Sequence, residues 1–210
     1  MKGLLIKDFY TLRQYVKSVL LMMILFAFIS MGMDNPATFI EGMFVMLYMM
    51  MTIHSFSYDA LAKWDRFALS LPLTKRDIVR SKYLLSLILC LFGTIFSFLF
   101  ASVLIMIKPV NEFGVMDHLL ATAVIFSVAI FFSSVLIPIT FQFGVEKSRI
   151  FMVGIFALPF ASILVLEKLG FQMPSESTIL TFAKLLPIVI IGIFIASYVI
   201  SVKIYQNKEI

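Results

Sequence analysis

The fold is decided by residues 83–107, YLLSLILCLFGTIFSFLFASVLIMI, a run of 25 residues without one charged side chain. A helix rises about 1.5 Å per residue, so this run reaches ~37 Å. The hydrocarbon core of a bilayer is roughly 30 Å thick. Membrane β-barrels show short alternating segments instead of continuous apolar runs. The run therefore predicts a membrane-spanning helix.

Five further apolar runs of similar character flank it on both sides: 16–33, 39–57, 119–141, 150–166 and 185–202. Over all 210 residues, 61% are apolar and 14% are charged. A soluble domain is closer to half apolar and a quarter charged. We therefore expect an all-α membrane protein with six transmembrane helices in a single domain, residues 1–210.

The basic residues lie on one side of this membrane domain. Fourteen of the 17 Lys and Arg lie before or at the start of the first span, follow the sixth, or lie in the loops after spans two and four. The other three are Lys108, Lys168 and Lys184. The positive-inside rule then places both termini in the cytoplasm. The net charge of +5 thus reflects topology, and we expect no nucleic-acid partner.

The first 17 residues have the spacing of an amphipathic helix. Leu5, Phe9, Leu12 and Val16 recur at intervals of three and four residues on one face. This pattern predicts a helix that lies in the membrane interface before the chain turns into the first span. The alternative is an ordinary basic segment that leads into that span.

Several function classes lack the residues that they need. Within the predicted spans, Lys17 stands at the start of the first, and Glu41 and His54 are the only other acidic, basic or histidine side chains. Proton relays and intramembrane proteases place such groups at membrane depth. One cysteine and two histidines predict no metal site. A phosphate-binding G-x-x-x-x-G-K-[ST] loop is absent from the sequence. We therefore expect no enzymatic activity, and active transport would take its energy from a partner.

The most informative polar segment is residues 58–82, YDALAKWDRFALSLPLTKRDIVRSK. Its spacing predicts a short helix whose apolar face holds Leu61, Trp64, Ala68 and Leu71. Pro72 ends that helix, because a proline disfavours the helical conformation of the residue before it. Thr74 and Asp77 then predict a capping box that starts a helix running from Lys75 into the third span.

Two interpretations of this segment follow from composition. It is either a solvated loop with its apolar face on the bilayer, or a docking helix for a soluble partner. Trp64, the only tryptophan, suits an interface anchor, although tryptophan is also common at the membrane surface.

The run DRFALSLPLTKRDIVRSKYL, residues 65–84, resembles the Leu-Pro-containing cytoplasmic segment of small ABC-2-type permeases. These are the membrane subunits of bacterial ABC exporters whose ATPase is a separate polypeptide. A second, shorter match is Phe143-Gly144-x-Glu146-Lys147-x-Arg149. The sequence looks most similar to permeases that export amphipathic toxin peptides such as phenol-soluble modulins. Peptide-antibiotic immunity permeases and bacitracin-type permeases are near neighbours.

This resemblance implies the ABC-2 (type V) exporter fold, with residues 1–17 as its elbow helix and 167–181 as an outer capping element. It implies a coupling helix that fits a groove of the ATPase and a smaller second contact. These ATPase-coupling residues would be Lys63, Trp64, Asp65, Arg66, Phe67, Leu71 and Pro72, together with Gly144, Glu146 and Arg149. It also implies two permeases, as a homodimer or heterodimer, with two ATPase subunits in the bacterial cytoplasmic membrane. ATP and Mg²⁺ would bind to the ATPase, and this chain would bind no cofactor itself.

The second span is rich in methionine, whose flexible side chain adapts to varied apolar partners. We expect a path for amphipathic peptides along it, formed by Gly42, Met43, Met46, Met49, Met50 and Ile53. The alternative is that these residues face lipid or pack in the core.

The sequence is best interpreted as the permease subunit of an ATP-driven exporter of hydrophobic or amphipathic peptides. Its alternatives are a non-transporting membrane subunit that senses or shields against an antimicrobial peptide, and a pore-forming membrane protein. An exporter requires an ATPase partner, whereas a pore conducts alone.

Overall fold

A computed structural model describes residues 2–33, 35–68, 70–107, 115–168 and 176–208. Within the helices, side chains are not described at 66, 107, 115, 117, 156, 158–168 and 176–184. All regular structure in the described residues is helical, as predicted. The helices are α1 (Lys2–Ser30), α2 (Pro36–Leu61), α3 (Trp64–Ala68), α4 (Lys75–Ile107), α5 (Val115–Phe143), α6 (Val145–Lys168) and α7 (Glu176–Asn207).

Five of these helices are long and apolar enough to cross a membrane over the residues that the structure describes. They are α1, α2, α4 as far as Met106, α5 from His118, and α7 from Leu185. Helix α6 covers the predicted fifth span, 150–166, with 24 residues in total. Most side chains of that span lie outside the described residues, so the sixth crossing stays a prediction. The predicted outer element, 167–181, also lies largely outside them.

The helices alternate in direction, which brings both ends of the described chain to one end of the bundle. Lys7, near the start of α1, bonds to Asp59, near the end of α2. The Lys75 ammonium, at the start of α4, donates to the carbonyls of Gln206 and Lys208. We call this end of the bundle the basic end. The termini therefore share a side, in keeping with the charge pattern, and their position in the cytoplasm stays a prediction.

Helix α1 differs from the sequence-based expectation. It runs unbroken from Lys2 to Ser30, without a turn near Val16, so a separate interfacial elbow helix is not confirmed. The predicted apolar face is divided: Leu12 is buried and Leu5 half-buried, whereas Phe9 and Val16 are exposed. The reason is a charge pair: Asp8 faces a buried lysine of α4, Lys82, and this contact sets the rotation of the helix.

Helix α2 is the central helix of the bundle. Of its most apolar stretch, 61% is buried, against 17% to 44% in the four other candidate spans. Ile40, Phe44 and Leu47 of α2 pack with Leu12 of α1 and Leu85 of α4 in the largest core cluster. Of the methionines of α2, Met49 and Met51 are buried inside the bundle, whereas Met43, Met46 and Met50 are half-buried.

The close approach of α2 and α4 depends on Gly93. A Cβ atom placed on Gly93 would lie 2.8 Å from Cβ and 2.9 Å from Cγ of Tyr48. Real Cβ atoms do not come so near to another carbon, and the obstructing atoms are the rigid base of a tyrosine side chain. Gly93 thus allows the two helices to pack at this distance.

We predict that Gly93→Ala lowers the stability of the purified protein by about 1–3 kcal/mol, the usual cost of overpacking a core. The measurement is thermal unfolding in detergent, monitored by the loss of the monodisperse protein peak on heating. Gly192→Ala is the matched control, because Gly192 is also helical and a Cβ atom placed on it would meet no neighbouring helix within 4 Å. Equal unfolding temperatures for the two variants would contradict this account of the α2–α4 contact.

Candidate functional site

The short helix α3 is set apart from α2 by a sharp reversal of the chain. Helix α2 ends at Leu61, and Lys63 takes a left-handed backbone conformation with φ 50°. The predicted continuous apolar face of Leu61, Trp64, Ala68 and Leu71 is therefore wrong. Leu61 is 81% exposed, whereas Ala68 is fully buried. The left-handed residue rotates α3 away from the line of α2, so the two residues do not share a face.

The corner between α3 and α4 follows the prediction. The Thr74 backbone N–H donates to the Asp77 carboxylate at 3.2 Å, and the Asp77 N–H donates to Thr74 Oγ1 at the same distance. The Thr74 hydroxyl also donates to Asp77 Oδ2 at 2.6 Å. This reciprocal capping box starts α4 at Lys75, and the helix continues unbroken to Ile107. Movement of this corner is thereby joined directly to a candidate span.

Four charged side chains meet beside α3 in what we call the ionic cluster: Lys7, Asp8, Asp59 and Lys82. The Lys82 ammonium lies 3.0 Å from Asp8 Oδ1 and 2.5 Å from Asp59 Oδ2. The Lys7 ammonium lies 3.0 Å from Asp8 Oδ1 and 2.5 Å from Asp59 Oδ1. Two cations and two anions alternate, and they connect α1, α2 and α4.

Because part of the ionic cluster is buried, the loss of one of its members destabilises the others. Asp8 and Lys82 are almost completely shielded from solvent. Ser55 completes their hydrogen bonding, since its hydroxyl lies 3.1 Å from Asp8 Oδ1 and 2.6 Å from the Lys82 ammonium. Removal of one partner from a buried pair leaves an uncompensated charge and typically costs about 3–5 kcal/mol. The three helices are therefore held in one relative position at this end.

Helix α3 is attached to this cluster and to α7. The Lys7 ammonium lies over the Trp64 ring, 4.2 Å from its centroid. The Tyr205 hydroxyl of α7 donates to Asp65 at 2.9 Å. Ala68 packs in a core cluster with Ile78 and other residues of α2, α4, α5 and α7. Three successive contacts thus fix one side of α3 to the bundle.

The other side of α3 is open. Phe67 is 57% exposed, and Leu61, Leu71 and Pro72, which precede or follow α3 in the chain, are exposed as well. We call these four residues the apolar patch. Lys63 is exposed beside it, Trp64 and Asp65 are half-buried, and the Arg66 side chain lies outside the described residues.

The second predicted contact segment lies at the same end of the bundle. Gly144 separates α5 from α6 with φ 81°, a left-handed conformation that favours glycine. Gly144 lines a cavity of about 90 Å³ together with Asp59, Asp65 and Lys82. The Arg149 guanidinium donates to the Ser57 hydroxyl at 3.2 Å, and Glu146 is exposed. The fold thus brings both predicted contact segments to the basic end, and their role in ATPase binding stays a prediction.

The methionine residues of α2 occupy a different place, between α2 and α5. Gly42, Met46 and Met49 line an apolar cavity of about 200 Å³, opposite Val124, Ile125, Val128, Ala129 and Phe132 of α5. Met49 and Ile53 are buried against Phe132 and Leu136, whereas Met43 and Met50 are half-buried. Three of the six predicted path residues therefore share one open surface, and transport along it stays a prediction.

Sequence reasoning missed the ionic cluster. The sequence does contain one indication that Asp8 forms an ion pair: it is the one acidic residue among the first 17, where four basic residues occur. Nothing in the sequence distinguishes Lys82, because a lysine immediately before a predicted span is common and usually serves only to set the orientation of the span. The pairing of Asp8 with Lys82 joins residues 74 positions apart, which no local pattern reports.

These features define a multi-pass helical membrane protein with a short, anchored helix exposed at the end that carries both termini. The chain belongs to the ABC-2 transporter family: the family model described as ABC-2 family transporter protein matches residues 3–206. It is accordingly a permease, the membrane component of an ABC transporter. No curated protein and no solved structure matches the chain.

We predict that Lys82→Met lowers the free energy of unfolding by about 3–5 kcal/mol, because Asp8 and Asp59 then share a single cation, Lys7. Asp8→Asn combined with Lys82→Met should restore part of that loss, since the pair is removed together. A double-mutant cycle of thermal unfolding in detergent measures the coupling between the two residues. Strictly additive losses would show that the cluster does not act as a unit.

Proposed function

We propose that this chain is the permease subunit of an ATP-driven exporter of hydrophobic or amphipathic peptides in a bacterial cytoplasmic membrane. The observation that carries the proposal is the arrangement of α3. One side of this helix is fixed to the long helices around it, and its other side presents the apolar patch at the basic end. An element of this kind suits the transfer of movement from a soluble partner to the bundle.

The partner in this proposal is a separate ATPase polypeptide. It binds ATP and Mg²⁺, and its groove receives the apolar patch, with Gly144, Glu146 and Arg149 as a smaller contact. A large apolar side chain surrounded by polar residues is the usual anchor of a protein interface. The proposed assembly contains two permeases, in a homodimer or heterodimer, and two ATPases, and both permease termini lie in the cytoplasm.

Force applied to α3 would reach the spans through the ionic cluster. Lys7 contacts Trp64 and also binds Asp8 and Asp59, so a displacement of α3 acts on α1 and α2 together. Lys82 extends the connection to α4. Since Asp8 and Lys82 are buried, separating them is costly, and in this proposal the helix ends move as one body.

The methionine-lined cavity between α2 and α5 supports the proposed substrate class. Its lining is almost wholly apolar, so a hydrophilic solute would lose its hydration there with few replacement hydrogen bonds. An amphipathic helix can instead place its apolar face on the flexible methionine side chains. We propose that such peptides come from the cytoplasm or the inner leaflet and leave on the opposite side.

We predict that Phe67→Ala weakens binding of the ATPase to the permease by about 2 kcal/mol, because it removes the aromatic side chain of the apolar patch. The measurement is the affinity of the purified ATPase for permease in nanodiscs, together with peptide-stimulated hydrolysis. Tyr10→Ala is the matched control, an exposed aromatic residue of α1 outside the patch. Unchanged affinity for Phe67→Ala would place the ATPase contact elsewhere.

We predict that Met46→Trp reduces ATP-dependent peptide export severalfold, because the larger ring fills part of the ~200 Å³ cavity. ATPase binding should be unchanged, since Met46 lies far along α2 from α3. Transport is measured as peptide uptake into inside-out vesicles, and Met106→Trp is the control at an exposed position. Full export by Met46→Trp would reject this route. Peptide-dependent conductance without the ATPase would favour the pore, and binding without transport would favour the sensing subunit.

A further inference from the structure

A second polar cluster lies at the end of the bundle opposite the ionic cluster. Glu41 of α2 accepts a hydrogen bond from the Thr122 hydroxyl of α5, with 2.7 Å between Oγ1 and Oε1. The same carboxylate oxygen lies 3.5 Å from His118 Nδ1. The coupling mechanism proposed above uses none of these three residues. They form what we call the carboxylate site.

The carboxylate site is formed by the same two helices that line the methionine-lined cavity, with Glu41 on α2 and Thr122 on α5. Helices α2 and α5 run in parallel, since Glu41 meets Thr122 and, further along, Met49 and Ile53 meet Phe132 and Leu136. Glu41 directly precedes Gly42, the cavity-lining residue of α2 nearest to this end, although Glu41 itself does not line the cavity. Thr122 is likewise two residues before Val124, the first lining residue of α5. The site therefore borders the end of the cavity that is farther from α3.

The carboxylate has hydrogen-bonding capacity that its neighbours do not use. Glu41 is 1% exposed, yet its Oε2 atom has no hydrogen-bond partner among the described residues. A carboxylate offers about four acceptor positions, and a buried one without partners is unfavourable. The histidine beside it is held in place, because its ring stacks on Phe98 with centroids 4.7 Å apart and its Nε2 lies 3.4 Å from the Ser102 hydroxyl.

We propose that Glu41 binds a primary ammonium group of the transported molecule, while the adjoining apolar part occupies the methionine-lined cavity. The inference rests on the proposed function and narrows its substrate class to cationic amphipathic molecules. An ammonium supplies both the donor and the charge that Oε2 lacks, and such charge-assisted bonds are the strong ones. A neutral amphipathic molecule would fill the cavity and leave Oε2 unpaired.

The test compares two fluorescent peptides that differ in one group. Each is an amphipathic helix with a single lysine at the edge of its apolar face, and in the second peptide this lysine is Nε-acetylated. Binding is measured to the permease–ATPase complex in nanodiscs of zwitterionic lipid, which removes attraction to anionic headgroups. The wild type should bind the ammonium peptide roughly tenfold more tightly than its acetylated twin.

Glu41→Gln should abolish this preference and leave the affinity for the acetylated peptide unchanged, which also shows that the variant is folded. Thr122→Val keeps the carboxylate, so it should retain the preference. Glu146→Gln is the control for loss of a carboxylate at the basic end, where Glu146 is exposed. Equal binding of both peptides by the wild type, or a preference that persists in Glu41→Gln, would overturn the proposal.

A different experimental result would show that the proposed function itself is wrong. If neither peptide binds to the wild type or stimulates hydrolysis, the peptide substrate is rejected. The carboxylate site is then decided with decylammonium and decanol in the same nanodiscs and variants. A tenfold preference for the amine that Glu41→Gln removes supports the site, and equal affinities reject it.

Discussion

The burial of the Lys82 ammonium is the constraint on which the rest of the structure depends. This cation lies in the interior of the bundle, so Asp8 and Asp59 must approach it from two other helices. Their approach fixes the rotation of α1 and the last turn of α2. It also draws Lys7 over Trp64, and in this way the position of the exposed helix α3 depends on the same charge.

Among the residues that the structure describes, the buried acidic, basic and histidine side chains lie toward the two ends of the bundle. At the basic end, four charges are mutually satisfied and hold α1, α2 and α4 together. At the opposite end, the Glu41 carboxylate is only half satisfied by the residues that the structure describes. Helices α2 and α5 connect the two ends, and the methionine-lined cavity lies between them. A fully paired network suits a rigid connection, whereas an unpaired carboxylate suits a binding point.

The sequence predicts those features that rest on local chemistry. Thr74 and Asp77 lie three residues apart, and their capping box formed as expected, with α4 continuing into the bundle. The apolar runs likewise became helices. The rotation of α1 was not predictable, because Asp8 pairs across 74 residues. The face of α3 was mispredicted because one left-handed residue, Lys63, breaks a periodicity that the pattern assumes to be continuous. The placement of Glu41 beside His118 depends on the parallel packing of α2 and α5, which periodicity does not report.

The central claim is that the ionic cluster makes α3 and the adjoining helix ends move as one body. It is tested by the distance between spin labels at Tyr10→Cys and Ser70→Cys, both exposed, in a Cys90→Ala background. The labelled permease is diluted with unlabelled permease, assembled with the ATPase, and measured with and without vanadate-trapped nucleotide. We expect the distance between α1 and the end of α3 to stay the same in both states, and to change between states when Lys82→Met is added. A wild-type distance that shifts on nucleotide trapping would show that α3 moves independently of α1, which contradicts the account.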